Sequence, residues 1–299
     1  MSFRSLIISN SANLSIKNNN LLINNGEEFL VPIEDISVLL IEGVAVNLTA
    51  RLLSKLSENN VATIICDEKH LPVSINIPIN THYKTYKVLK QQFSQSAAFS
   101  KRIWQSIIKQ KLINQGKCLD ILEISGYEFL KKLSDAVESG DKGNREAIGA
   151  KYYFKNLFGK AFVRDDENGI NSALNYGYTI LRSAIARSLV MYGFNTTLGV
   201  NHCNELNSFN LADDFIEPFR PIVDLWVAQN MDYDDILTKE DRIGLVDLLN
   251  YQCVIDGKNH SVLNGIDKMI SSYTTACSKK DFRLLKLPEI KPLEYHYYE

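Results

Sequence analysis

Three segments in the second half of the chain carry side chains whose types and spacing could do chemistry. The first is Asn144-Arg145-Glu146-Ala147-Ile148-Gly149-Ala150-Lys151-Tyr152-Tyr153-Phe154. Asn144 is placed to cap a helix, and Glu146 then shares a face with Ala150, Tyr153 and Leu157. A carboxylate on that apolar stripe points inward, although a first-turn Glu also serves simply to complement the helix dipole. The second is Leu198-Gly199-Val200-Asn201-His202-Cys203-Asn204, where a His follows a glycine turn. Such a His is either a hydrogen-bonded structural residue or a ligand. Nothing beside Cys203 would lower its pKa, so a thiol nucleophile is not expected. The third segment runs from Phe209 to Asp224 and contains Asp213, Asp214, Glu217, Pro218 and Arg220. Asp214 and Glu217 are i and i+3, so their carboxylates share a helix face, and a cation or bound partner would relieve their repulsion. Asp213 is the alternative neighbour of Glu217, at i−4. Pro218 disfavours the α conformation at Glu217 and begins a helix break, and Arg220 is placed to pair with a carboxylate or a phosphate. The third segment also admits a bland reading as an exposed acidic helix turn.

These segments need elements to hold them. Short β-branched or alternating runs at 3–9, 12–17, 20–24, 28–32 and 36–41, separated by Asn-rich turns, read as strands. Residues 13–23 look like a hairpin, because Asn tolerates the left-handed backbone of tight turns. A helix over 47–58 shows Leu48, Leu52, Leu53 and Leu56 on one face, with Asn47 as its cap. Strand character returns at 61–66 and 72–77. From Thr81 the apolar period becomes helical, with helices expected through 112 and near 119–133, 145–158, 172–192, 209–229, 239–249 and 262–275. The expected fold class is α+β. A small β-rich domain (1–79), for dimerisation or partner contact, precedes a larger all-α catalytic domain (80–299) whose tail after Cys277 is irregular.

Composition narrows the function classes. A chain of 299 residues with 45% hydrophobic and 23% charged residues is that of an ordinary globular protein. Five cysteines without a CxxC pair argue against a disulfide framework and a zinc ribbon, and fit a reducing compartment. No apolar stretch approaches the ~20 residues of a membrane span, so a cytoplasmic location is expected. The phosphate loop GxxxxGK[ST], GxGxxG after a strand, HExxH and GxSxG are all absent. That weighs against nucleotide-driven motors, nicotinamide enzymes, zincins and serine hydrolases. The net charge of −2 conceals an asymmetry. Eight basic residues (Lys84, Lys87, Lys90, Lys101, Arg102, Lys109, Lys111, Lys117) and no acid lie between Asn80 and Leu119. Eleven acids face three bases between Asn204 and Asn250. A phosphate-binding surface beside a metal site would look like this, as would two solvated helix faces.

The motifs NREAIGAKYYFKNLFG, INSALNYGYTILRSAIAR, LGVNHCN and FNLADDFIEPFRPIVD, in that order, resemble the CRISPR-associated integrase family, the larger catalytic protein of the spacer-acquisition complex. SNSANLSIKNNNLLI and ISVLLIEG fit its type II branch, and the resemblance runs to about Leu287. It implies an N-terminal β-domain, a helical C-terminal domain, and Mg²⁺ or Mn²⁺ held by Glu146, His202 and Glu217. Asp214 matches a further acid near the metal, with Arg220 a possible support. Other branches carry Asp at the position of Glu217, a substitution that retains carboxylate ligation.

The resemblance further implies insertion of short double-stranded DNA fragments at the leader-repeat junction of the CRISPR array, by attack of a fragment 3′-hydroxyl on a target phosphodiester. A full insertion needs two strand transfers, on opposite strands, and the resemblance implies homodimers flanking a small ferredoxin-like partner dimer in a heterohexamer. Lys84, Lys87, Lys90, Lys101, Arg102 and Lys109 are the candidate backbone contacts, and no membrane is involved. Two rivals stand beside this reading. One is a metal-dependent nuclease acting on branched DNA without integration, and the other a non-catalytic DNA-binding scaffold.

Overall fold

The computed structural model describes residues 4–78, 84–164, 166–232 and 235–297. The chain divides into two compact units, Met1–Thr85 and Tyr86–Glu299. The domain boundary expected at 79/80 falls outside the described residues.

The first unit is strand-rich. Strands β1 (Arg4–Ile8), β2 (Ala12–Lys17), β3 (Asn20–Asn24), β4 (Glu28–Pro32), β5 (Ile36–Ile41) and β6 (Val46–Leu48) precede helix α1 (Ala50–Glu58), followed by β7 (Ala62–Cys66) and β8 (Pro72–Asn76). They form two four-stranded sheets, ordered β1-β5-β7-β8 and β4-β3-β2-β6. The β2–β3 hairpin turns on Asn18 and Asn19, both at positive φ, as the Asn-rich stretch predicts. β5 pairs in parallel with β1 and β7 and is buried at all six positions, so Ile-Ser-Val-Leu-Leu-Ile reads as a continuous apolar run. Leu52 and Leu56 of α1 enter the core with Leu14, Leu21, Ile33, Leu39 and Val61. Full burial of each such side chain contributes about 1.5–3 kcal/mol. Asn47 does not cap this helix. It lies in β6, and Thr49 caps instead by accepting from Leu52 N.

The second unit is mainly helical. Helices α2 (Thr85–Phe93), α3 (Ala97–Ile121), α4 (Tyr127–Asp135), α5 (Arg145–Leu157), α6 (Gly169–Met191), α7 (Asn210–Ile216), α8 (Arg220–Asn230), α9 (Lys239–Asp247) and α10 (Val262–Lys279) follow in order. The periodic stretch at 119–133 is broken at Gly126 (φ +144), which separates α3 from α4. α3 packs against α4, α5 and α8, and α6 against α7, α8, α9 and α10. No described helix is long and apolar enough to cross a membrane.

The expectation of an all-α second domain is corrected. Strands β9 (Tyr251–Ile255), β10 (Lys258–Ser261) and β11 (Glu289–Tyr295) form an antiparallel sheet ordered β10-β9-β11. Its hairpin turns on Asp256-Gly257, both at positive φ. That dipeptide between two strand-like runs is a strong short-range hairpin signal and was present in the sequence. β11 was illegible for a different reason: its pairing with β9 joins residues far apart in the chain. The tail therefore contains a paired strand at Glu289–Tyr295, which the expectation of an irregular tail did not include.

Candidate metal centre

α5 begins at Arg145, and its exposed first-turn amides are met by Asp141. The two Asp141 oxygens accept from Arg145 N (2.9 Å) and Glu146 N (3.0 Å). Asn144 is not the cap: its backbone is left-handed (φ 49°, ψ 43°) and its side chain caps nothing. Glu146 is thus fixed in the first turn, with its side chain 28% exposed.

His202 lies in the loop between α6 and α7, and the loop is folded around Asp214. The Asp214 carboxylate is fully buried. It accepts from the backbone of Val200, from Asn201 N (3.1 Å) and His202 N (3.1 Å), and it contacts the His202 ring at Nδ1 (2.8 Å). With Nδ1 engaged, the imidazole presents Nε2 outward. The Asp214 hydrogen bond holds the imidazole above its ordinary pKa against partial burial, aided by the negative charges of Glu217 and Asp213. Trp104 packs edge-on to the ring at 5.6 Å between centroids. His202 also lines a cavity of about 380 Å³ with Gln92, Phe93, Asn204 and Tyr273. The loop curls this tightly because residue 199 is glycine. A Cβ there would lie 2.2 Å from the His202 carbonyl oxygen and 2.8 Å from Asp214 Oδ2. Gly199→Ala is therefore expected to cost about 1–3 kcal/mol, read as a lower urea midpoint.

Glu217 stands between α7 and α8, where the expected break occurs. Its backbone is nevertheless α-helical (φ −50°, ψ −45°), contrary to the expectation from Pro218. Helical geometry on both sides and the turn closed by Phe219 N to Ile216 O (2.8 Å) outweigh the proline's steric preference. Glu217 is buried, and its Oε1 accepts from Arg220 Nε at 2.9 Å. The Arg220 guanidinium lies 4.5 Å over the Tyr178 ring. Tyr178 OH in turn donates to buried Asp224, whose carboxyl is pushed up to about 6 by burial.

Glu146 and Glu217, 71 residues apart in the chain, meet at one point. Lys111 Nζ from α3 lies 2.7 Å from Glu146 Oε1 and 2.5 Å from Glu217 Oε2. Burial by itself would raise the Glu217 carboxyl, but Arg220 and Lys111 hold it below the usual range, with His202 adding to the effect. For Lys111 burial opposes the charge, and the two carboxylates outweigh it and raise the ammonium pKa. As the side chains stand, no trio of His, Cys, Asp or Glu among the described residues is gathered at metal-binding distance. The structure thus unites Glu146 with Glu217, places His202 within electrostatic reach of Glu217, and sets Asp214 behind His202. The donor types nevertheless suit a hard divalent cation. Glu217 Oε2 is buried, and an ammonium meets its charge at the place where a cation would sit.

Lys111 was read only as part of the basic stretch. Its position four residues after Ile107 and three after Ile108, both fully buried, puts it on the inward stripe of α3, and that spacing was the available signal. The basic stretch as a whole is split. Lys111 is buried at the carboxylates and Lys117 pairs with Glu289 at 2.5 Å. Lys84, Lys87, Lys90, Lys101 and Arg102 are exposed, and Lys109 is half-buried. Arg102 bonds Gln105 (3.0 Å) and lies over Phe282. None of the five cysteines is in a disulfide, and Cys203 is exposed.

Comparison with known proteins gives one consistent answer. The family model described as CRISPR associated protein Cas1 matches residues 6–242. The CRISPR-associated endonuclease Cas1 of Neisseria meningitidis serogroup C (strain 8013) is 43% identical across all of both chains. Among solved structures, a casposase bound to integration product superposes with a TM-score of 0.75 at 22% identity, covering 93% of each chain. A Cas6-RT-Cas1–Cas2 complex gives 0.73 at 18% identity, covering 97% of this chain and 36% of that one. At these identities the two structures speak for the fold alone.

Proposed function

The chain belongs to the CRISPR-associated Cas1 family, and from that premise we propose that it is a divalent-metal-dependent DNA integrase that inserts short fragments at the leader-repeat junction of a CRISPR array. The observation that carries the proposal is the meeting of Glu146 and Glu217 at a single cationic nitrogen, beside a His whose ring is oriented by a buried carboxylate. Glu146, Glu217 and His202 Nε2 would hold Mg²⁺ or Mn²⁺. When bound there, such an ion supplies Lewis-acid polarisation of the target phosphoryl group and stabilises charge on the leaving oxygen.

The protein's own groups prepare that site. Arg220 fixes Glu217 through Oε1, leaving Oε2 directed toward Glu146. Asp214 fixes the His202 ring and the loop that carries it. Pre-set donors cost little reorganisation when the substrate arrives. The fragment 3′-oxygen forms a bond to the target phosphorus while the bond to the target's own 3′-oxygen breaks. The attacking hydroxyl gives up its proton and the departing oxygen gains one. One phosphodiester replaces another, so no nucleotide fuel is needed.

The name of the Neisseria relative, an endonuclease, favours a second reading in which the same residues cleave branched DNA without joining it. Fragments with a free or a blocked 3′-hydroxyl separate the two. Joining to a leader-repeat plasmid should need the free hydroxyl and stop in EDTA, whereas cleavage alone would ignore the block.

Two strand transfers on opposite strands need two centres, which supports a homodimer working with a second protein. The Cas1–Cas2 complex among the fold relatives suggests Cas2 as that protein, as a ferredoxin-like dimer within a heterohexamer in the cytoplasm. Lys84, Lys87, Lys90, Lys101, Arg102 and Lys109 are proposed to meet the DNA backbone. Replacing Lys87, Lys90 and Lys101 by Ala should weaken fragment binding alike for all sequences. It should also lower the slope of log affinity against log salt by roughly 2–3, as measured by fluorescence anisotropy.

A further inference from the structure

We propose that Lys111 is a tethered occupant of the metal centre, its ammonium holding the place between Glu146 and Glu217 until a divalent cation displaces it. The inference rests on the reading of Glu146, His202 and Glu217 as ligands. Its geometry is that one nitrogen sits 2.7 Å and 2.5 Å from carboxylates that belong to different helical segments. The Lys111 side chain is 9% exposed, so few waters share this position.

Charge explains why the two cations exclude each other. Glu146 and Glu217 carry two negative charges, which Lys111 and Arg220 already offset. A divalent ion entering beside Lys111 would leave these groups with an excess of two positive charges, which a low-dielectric site disfavours. Withdrawal of Lys111 removes one of them.

The two resident cations of Glu217 differ in how easily they could leave. Arg220 is held on Oε1 and stacked over Tyr178, and a planar guanidinium so packed is fixed. Lys111 is a point charge on a flexible four-carbon stem, and it meets Oε2, the Glu217 oxygen that Arg220 leaves open. The oxygen a metal would take is therefore the one guarded by the mobile cation. Lys111 acts here as a positioning residue. It keeps the Glu146 and Glu217 carboxylates together before loading, and it raises the metal concentration at which loading occurs.

The full-length protein tests this with Mn²⁺ as the probe. In calorimetry, Lys111→Met is expected to bind Mn²⁺ about 10- to 100-fold more tightly than wild type, because the competent state is no longer masked. Equal or weaker binding would overturn the inference. Unmodified protein gives a second reading that needs no folded variant. Treated with an amine-acetylating reagent and analysed by peptide mass spectrometry, Lys111 should be protected in EDTA and labelled once Mn²⁺ saturates the protein. Labelling that is the same with and without Mn²⁺ also overturns it. Glu217→Gln distinguishes the underlying reading. If wild type binds no Mn²⁺, or Glu217→Gln binds it as wild type does, the ligand assignment falls and the inference with it. If Glu217→Gln loses binding while Lys111→Met leaves it unchanged, the inference alone falls.

Discussion

Glu217→Gln is expected to lower strand transfer about a thousandfold or more. The substitution is nearly isosteric and leaves an oxygen for Arg220, so the turn between α7 and α8 should survive. What disappears is the anionic oxygen facing Glu146. Loss of the several kcal/mol that a bound metal contributes to the transition state corresponds to at least roughly 10³ in rate. Buried Lys111 would then keep Glu146 as its one carboxylate partner here, and half-buried Arg220 would lose the charge it pairs with. Leaving buried charge uncompensated costs about 3–5 kcal/mol, so the metal-free variant should also melt well below wild type. Integration into a leader-repeat plasmid and a thermal melt in EDTA measure the two effects. Normal integration by Glu217→Gln would remove Glu217 from the site.

Asp214→Ala should be the most destabilising single change in the His202 loop. Three backbone amides and one ring nitrogen converge on this carboxylate, which has no solvent contact. Removing it orphans several donors at once, each costing about 1–3 kcal/mol before relaxation, so a net loss of about 3–5 kcal/mol is expected. Asp214→Asn is the sharper probe of function. Its single carbonyl oxygen can serve some of the amides, but the neutral amide no longer fixes the imidazole tautomer. Strand transfer and Mn²⁺ affinity should fall together by about 10- to 100-fold, the range for a residue that orients a ligand. A variant that loses stability but keeps full activity per folded molecule would reduce Asp214 to a loop anchor.

These two residues also show how far the sequence could be read. Spacing placed Asp214 and Glu217 on one helix face and suggested that a shared cation relieves their repulsion. In the structure they are relieved separately. Asp214 is satisfied by amides of a loop that begins at Gly199, and Glu217 by Lys111 and Arg220. Helical period reports which residues share a face. It does not report which loop or distant helix supplies the partner, because that depends on how helices pack.

The strand-rich beginning, the run of helices and the candidate acids and imidazole are all legible in residue order, because alternation, helical period and turn residues are local properties of the backbone. Even the Asp256-Gly257 hairpin was local, and went unread rather than unwritten. Three features emerge on folding alone: Lys111 lies between Glu146 and Glu217, Asp141 rather than the Asn144 side chain satisfies the first amides of α5, and β11 completes a sheet with β9. Each of these joins groups by charge or hydrogen bonding through space. The energy of such contacts depends on distance and burial in the folded chain, quantities that neighbouring residues along the sequence do not fix.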